Sequence, residues 1–313
     1  MTDISIIIVS WNTRELLKEC IESVYRCTAG VSFDLFVVDN ASTDGSAAMV
    51  RETFPQVKLI ENAENAGFSK ANNQAIRRSH ARYIGLLNSD TVLITDVFAP
   101  LVAYADLHEE TGAVGPKVLC RDGRTVQNVC ARNLPNLYYD FCRLSGLSRK
   151  FSGTRLFGGE YLSYWDHQTS RHVEGLVGAC MVVRKRAIDD IGLMDENQFM
   201  YGDEIDWCRR LLDGGWNIYY EADAAIIHYG GESSKQVKAF AGVEAEKALK
   251  YYYRKHNGHW YAVLFSLEVG VVTLGKYVWS ILFKSKSPRV RELRDIYKRI
   301  FTWSFSELLR PQK

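Results

Sequence analysis

Asp90 closes the tripeptide Asn88-Ser89-Asp90, directly after the apolar run Ala81 to Leu87. A carboxylate on a loop leaving a buried strand is a hard oxygen ligand, suited to Mg²⁺ or Mn²⁺. Taken alone, such a residue more often caps a turn, so its weight depends on its company. Asp39 opens a second polar loop, Asp39-Asn40-Ala41-Ser42-Thr43-Asp44-Gly45, whose acceptors suit a nucleobase or a ribose, although Asp44-Gly45 is itself a tight-turn pair. The segment Asn65 to Asn73 puts Gly67 where a helix begins, with Lys70 in its first turn. Backbone N–H groups there can come close to a phosphate or sugar, and Ser69 can equally serve as a cap.

Tyr201-Gly202-Asp203-Glu204-Ile205-Asp206-Trp207 brings three carboxylates to a helix start. The helix dipole accounts for one or two of them. A third leaves room for a general base that takes the proton from a sugar hydroxyl. His228 is followed by Tyr229-Gly230-Gly231-Glu232-Ser233-Ser234. It reads either as an ordinary buried histidine or, with small residues beside it, as the imidazole that completes a Mn²⁺ shell. Trp165 and Tyr201 are candidates for stacking on sugar faces, with core packing an equal alternative.

These residues need a scaffold that brings strand ends together. Ile4 to Val9 and Phe33 to Val38 have the composition of strands buried on both faces, Val57 to Ile60 gives a third, and Ala81 to Leu87 a fourth. Helical spacing at Leu16, Leu17, Ile21, Val24 and Tyr25, and again over Phe68 to Arg78, separates them. Strands alternating with helices imply βαβ units and a mostly parallel sheet, with ligands beyond the carboxyl ends of the strands. Residues 120–172 show poor periodicity and read as a long irregular excursion of functional kind. Val173 to Arg184 returns to strand character, Asp203 to Leu212 is helical, and Trp216 to Tyr220 and Ala225 to His228 are two short strands.

Composition sets the remaining bounds. The chain has 313 residues, 47% apolar and 24% charged, enough for one large α/β domain and an appendage. Seven cysteines without a CxxC pair argue against a disulfide framework or a structural zinc site, hence for a reducing, cytoplasmic setting. The start of the sequence shows no signal peptide. Residues 284–313 hold nine Lys/Arg against three Asp/Glu, so a net charge of +2 divides into +6 there and −4 before it. A basic, aromatic tail points to an anionic surface. Trp260 to Phe283 is long enough to span a bilayer. Glu268 and Lys276 inside it cost roughly 2.5–3.5 kcal/mol each at a bilayer centre, which favours an interfacial helix or hairpin. Val290, Leu293, Ile296, Tyr297, Ile300, Phe301 and Ser304 form one stripe, the pattern of a helix in the headgroup plane; docking on its own domain or on a second subunit is the plainer alternative. No nucleic-acid partner is expected, since no recognition motif accompanies the basic tail.

In their order, Ser5 to Asn12, Val38 to Ser46, Asn65 to Asn73, Leu87 to Asp90, Gly192 to Asp206 and His228 to Ser233 resemble glycosyltransferase family 2, inverting nucleotide-sugar enzymes. The resemblance spans Ser5 to about Lys255. Gly112 to Lys117, Gly192 to Glu196 and Tyr251 to Gly258 are similar to a rhamnosyltransferase-like subgroup that builds bacterial cell-surface polysaccharide. It implies a GT-A fold, a Rossmann-like mostly parallel sheet flanked by helices, over residues 1–257, with a nucleotide half 1–119 and an acceptor half 120–257. Residues 258–313 then form a C-terminal helical, membrane-associating extension. Asp39 matches the family's nucleobase-recognising aspartate, with Ser10 and Asn12 lining the same pocket. Asn65, Gly67 and Lys70 match the donor-contacting loop. Asp90 matches the last aspartate of the metal-binding DxD, with Asn88 in its first position. His228 matches the histidine near the metal and diphosphate. Glu204 or Asp203 is the base, with Glu204 favoured. The implied partners are a dTDP- or UDP-linked sugar, possibly carrying L-rhamnose, a divalent metal, a glycan or lipid-linked acceptor, and the inner face of the cell membrane. A processive synthase would carry QxxRW and several spanning helices, and a nucleotidyltransferase a glycine- and lysine-rich N-terminal loop; none is present. The alternative is a non-catalytic nucleotide-sugar-binding or assembly subunit at the membrane, for which Asn88 is the only foothold.

Overall fold

The computed structural model describes residues 2–197, 202–230, 238–282 and 288–309. Along the chain run β1 (Ile4–Ser10), α1 (Arg14–Cys27), β2 (Phe33–Asp39), α2 (Ser46–Thr53), β3 (Lys58–Glu61) and α3 (Phe68–Ile76). They are followed by β4 (Tyr83–Asn88), β5 (Thr91–Leu93), α4 (Phe98–Leu107), β6 (Thr111–Leu119), β7 (Ala131–Arg132), α5 (Leu137–Ser145) and α6 (Leu147–Lys150). Next come β8 (Arg171–His172), β9 (Gly175–Leu176), β10 (Cys180–Arg184), α7 (Lys185–Ile191), α8 (Asp203–Asp213) and β11 (Asn217–His228). Three long helices complete it: α9 (Lys238–His256), α10 (His259–Leu282) and α11 (Pro288–Leu309).

The chain forms two compact units, residues 1–134 with 165–236, and residues 135–164 with 237–313. The first is a sheet in the order β3-β2-β1-β4-β10-β6-β11-β5, with β8 beside β11 and a small β7-β9 pair apart from it. Strands β3, β2, β1 and β4 run parallel, β11 runs parallel to β6, and β10 is antiparallel to both its neighbours. The mostly parallel α/β sheet is thus as expected, and its reason is local. Ile4, Ile6, Ile7 and Ile8 are all fully buried, each contributing roughly 1.5–3 kcal/mol of burial, which only a strand covered on both faces provides.

Three local expectations are corrected. The runs Trp216 to Tyr220 and Ala225 to His228 are one strand, β11, which stays paired to β6 across an irregularity between Glu221 and Ala225. The run Val173 to Arg184 is two strands, β9 and β10, parted by Val177-Gly178-Ala179. The excursion 120–172 contains a true helix, α5, where Asn136 Oδ1 caps the Tyr139 N–H at 2.9 Å and Gly146 ends it at φ 86°. Polar and aromatic residues alternate across α5 because its inward side carries a charge cluster rather than a plain apolar stripe.

That cluster belongs to the second unit. Arg143 donates to both Glu246 oxygens, at 2.9 and 3.1 Å, and to Asp140 Oδ1 at 3.0 Å, while Tyr253 donates its hydroxyl to Asp140. Burial pushes the Asp140 carboxyl up to about 6, against the pull of Arg143. Around it Tyr252, Tyr253, Phe265 and Val269 form an apolar core. The stripe on residues 290–304 lies mainly against α10 and not outward: Ile300 and Ser304 are buried, and Arg294 Nη2 donates to Ser280 O at 2.6 Å. A side chain added at Gly270 would meet Ser304 Oγ at 2.9 Å, so α11 runs back antiparallel along α10.

Candidate active site

The carboxyl ends of β1, β2 and β4 lie side by side, since Ser10 pairs with Asp39 and Val9 with Asn88. Asp39 and Asn88 therefore sit two strand spacings apart, roughly 10 Å, which suits the two ends of a nucleoside diphosphate. Asp39 is buried at 3% exposure; its Oδ2 accepts from the Ser42 N–H at 2.9 Å, and its Oδ1 is buried with no partner among the described residues. An orphaned carboxylate oxygen of this kind is costly unless a ligand donor meets it. Asn12 N–H donates to Ser42 Oγ at 2.9 Å, and Asn12 Oδ1 accepts from Thr43 N at 2.8 Å. Asn12 and Ala41 hold φ of 52° and 60°, a left-handed strain in two adjoining loops that is common at ligand sites.

Ser10 is fully buried, its hydroxyl 3.0 Å from Thr13 Oγ1, which lies 2.9 Å from Ser89 Oγ. It thus links the end of β1 to Asn88-Ser89-Asp90. Asn65 Oδ1 accepts from Gly67 N at 3.0 Å, and Gly67, at φ 80°, caps α3 in a conformation that favours glycine. Lys70 is exposed on α3, where its charge acts with Asn73 and Arg77 to hold the Glu196 carboxyl low.

At the other edge of the sheet, β5 pairs antiparallel with β11, setting Thr91 opposite His228, and Tyr229 N donates to Asp90 O at 2.9 Å. This rung brings Asp90 Oδ1 to 3.2 Å from His228 Nε2, with Asn88 Nδ2 3.4 Å from the same nitrogen. Gln127 orients the ring: its Nε2 donates to His228 O at 2.7 Å, so its Oε1, 3.1 Å from Nδ1, accepts the Nδ1 proton. In the neutral imidazole, Nε2 then presents a lone pair to a carboxylate oxygen, and a shared cation relieves that opposition. Among the described residues no group of three or more His, Cys, Asp or Glu side chains is arranged to hold a metal ion. Asp90 and His228 fit an ion whose other ligands come from the donor diphosphate and water. Cys20 is no candidate ligand: burial, then the nearby Asp90 charge, pushes its thiol up, and it donates to Asn88 O.

Asp203 and Glu204 open α8 behind Gly202, which holds φ 78°. Asp203 is 1% exposed, and burial, then the Glu204 charge, pushes its carboxyl up to about 8. Glu204 is half-buried, and burial raises its carboxyl too, against the pull of a backbone N–H and of Arg132. A side chain added at Gly178 would lie 3.7 Å from both Glu204 Cβ and the Phe68 ring, and the next residue, Ala179, accepts from Asn88 N at 3.0 Å. Glu204 therefore lies across Gly178 from the start of α3, one residue along the chain from the partner of Asn88. Trp165 is already engaged within the fold: His167 stacks on it at 4.3 Å, and the Arg171 guanidinium lies 5.0 Å from the ring centre. Tyr201 and Gly231 to Ser234 lie outside the described residues. Gln127, Arg132 and Thr13 are additions the sequence did not single out; Gln127 is 101 residues from His228, and no spacing rule joins them.

Comparison with known proteins identifies the family. The family described as "Glycosyltransferase like family 2" matches residues 2–248. An N-acetylglucosaminyl-diphospho-decaprenol L-rhamnosyltransferase of Mycobacterium tuberculosis is 24% identical over 277 residues, 84% of this chain and 89% of that protein. A dTDP-rhamnosyl transferase, RfbF, of Shigella flexneri is 25% identical over 205 residues, 64% of this chain and 62% of its own. The chain spans a quarter of an uncharacterized Sinorhizobium fredii protein, y4gI, that it also matches. Among solved structures, the mannosyltransferase PcManGT of Pyrobaculum calidifontis, in complex with GDP-Man and Mn²⁺, superposes with a TM-score of 0.59 at 13% identity, covering 100% of this chain and 90% of the other. The fold is that of the GT-A glycosyltransferases. With a family match over most of its length, the chain belongs to glycosyltransferase-like family 2 and is a nucleotide-sugar glycosyltransferase.

Proposed function

We propose that the chain transfers a sugar, L-rhamnose as first candidate, from a dTDP- or UDP-linked donor to a hydroxyl of a glycan or lipid-linked glycan. The setting is cell-surface polysaccharide synthesis at the inner face of the cell membrane, with the helical unit as the membrane-associating part. The rhamnosyltransferase names of two relatives support this choice of sugar. The observation that carries the reading is the convergence of Asp90 Oδ1 and His228 Nε2 at 3.2 Å beside Asn88, on a sheet end whose other side offers the unpartnered Asp39 oxygen. Residues 1–119 supply the nucleotide side, where Asp39 Oδ1 accepts from the base and the α3 start, with Asn65 and Gly67, faces the phosphates.

Asp90 and His228 would hold Mg²⁺ or Mn²⁺, which would supply a Lewis acid to offset charge on the departing nucleoside diphosphate. Glu204 takes the proton of the acceptor hydroxyl, whose oxygen bonds to the anomeric carbon on the face opposite the diphosphate, inverting configuration. Glu204 suits this role better than Asp203, which is enclosed and holds its proton at neutral pH. The test is release of nucleoside diphosphate from dTDP-rhamnose and UDP-sugars by the full chain with Mg²⁺ or Mn²⁺. Asp90→Ala and Glu204→Gln are expected to abolish transfer while keeping the wild-type unfolding transition. Wild-type turnover by either variant refutes the assignment.

A further inference from the structure

The second unit carries an apolar face that its own packing leaves outside. On α10, Trp260, Leu264, Leu267, Val271, Leu274 and Val278 recur at helical spacing and are all exposed, Trp260 at 76% and Val271 at 64%. The opposite face, with Ala262, Phe265, Val269 and Thr273, is buried. The outer stripe holds no charged residue and extends roughly 27 Å. An apolar surface of this length on a water-facing helix marks a docking site.

Charge says what docks there. The second unit has 19 Lys/Arg against eight Asp/Glu, a formal +11, whereas the first has 20 against 29, or −9. A second copy of the same face would set +11 against +11, whereas an anionic bilayer complements it. The pairing with α11 decides orientation. Along the length of α10, α11 carries exposed Arg291, Asp295, Lys298 and Arg299. An upright α10 would draw those charges into hydrocarbon. A flat one immerses only its outer stripe.

We infer that α10 lies in the plane of an anionic phospholipid bilayer, its Trp260-to-Val278 stripe at the acyl boundary and the unit's basic surface among the headgroups. The inference deepens the membrane part of the proposed function and is independent of the chemistry. It keeps the interfacial reading of Trp260 to Phe283 and turns most of the 290–304 stripe inward against α10. Deleting residues 258–313 would strip Phe265 and Val269 from the core of the unit, so outward point substitutions are the better test.

The experiment is co-sedimentation of the full chain with phosphatidylglycerol–phosphatidylcholine vesicles and with pure phosphatidylcholine vesicles. The chain is expected to bind the anionic vesicles at least tenfold more tightly. Leu267→Glu with Val271→Glu is expected to lower that binding on the order of tenfold or more without shifting the unfolding transition. Should that pair not fold, Trp260→Ser alone is expected to weaken binding in the same direction. Wild-type binding by the folded variants overturns the inference. So does resistance of the membrane-bound chain to alkaline carbonate extraction, which marks a spanning helix, or a soluble dimer that the same variants convert to monomer. Loss of sugar transfer in Glu204→Gln leaves vesicle binding untouched, so the two readings fail separately.

Discussion

Replacing Asp203 by asparagine separates the two carboxylates that open α8. Asp203 is 1% exposed, and its carboxyl is pushed from 3.8 to about 8 by burial first and the Glu204 charge second. The folded state therefore keeps a proton that the unfolded chain loses above 3.8. The stability from this group is full below that value, falls as pH rises, and is gone above about 8. At roughly 1.4 kcal/mol per pH unit, the penalty is on the order of 4 kcal/mol at pH 7 and about 1.6 kcal/mol at pH 5. An asparagine amide escapes it but costs about 1–2 kcal/mol for donors that the site does not satisfy. Asp203→Asn is thus expected to stabilise the protein by roughly 2–3 kcal/mol at pH 7 and to be near neutral at pH 5. Urea denaturation at pH 5, 6, 7 and 8 measures this. The variant should also retain sugar transfer, because Asp203 is already protonated at neutral pH and brings no charge to the step. A stability difference that does not change with pH refutes the electrostatic account. Complete loss of transfer with donor binding intact would make Asp203 the base.

Arg132→Gln removes a charge that lowers the Glu204 carboxyl, so the acid limb of kcat/KM should move to higher pH. An unchanged profile would place Arg132 outside the electrostatics of the base. Gln127→Leu frees the His228 ring and is expected to weaken the apparent metal affinity about 10–100-fold, read by Mn²⁺ titration of the transfer rate. Arg143→Met leaves Glu246 and Asp140 without their guanidinium and should cost about 3–5 kcal/mol, seen as an earlier unfolding transition.

The first half of the chain was plain in its sequence because its signals are local. Each strand of the parallel core is a short β-branched run, and each polar cluster follows one, so the loops at Asp39 and Asn88 could be placed at strand ends from composition alone. The second half resisted because its determinants are distant. Helix α5 is held by Arg143 to Glu246, 103 residues away, and β11 runs through an irregularity opposite β6 that periodicity reads as a break. The stripe on α11 was correct as a pattern and incomplete as a surface, since periodicity reports that a face is covered without saying by what. Among the site residues, Asp90 and His228 had local signals, whereas the glutamine that orients the imidazole had none.

The rung that sets Thr91 opposite His228 has a consequence for divergence. Its spacing is written in backbone hydrogen bonds, including Tyr229 N to Asp90 O, rather than in the fit of particular side chains. Substitutions elsewhere in the sheet change stability but do not alter the distance between two residues facing each other across a ladder. A site anchored this way tolerates wide drift in its surroundings. Sequence can drift in every other layer and keep this rung, and with it the approach of Asp90 to His228.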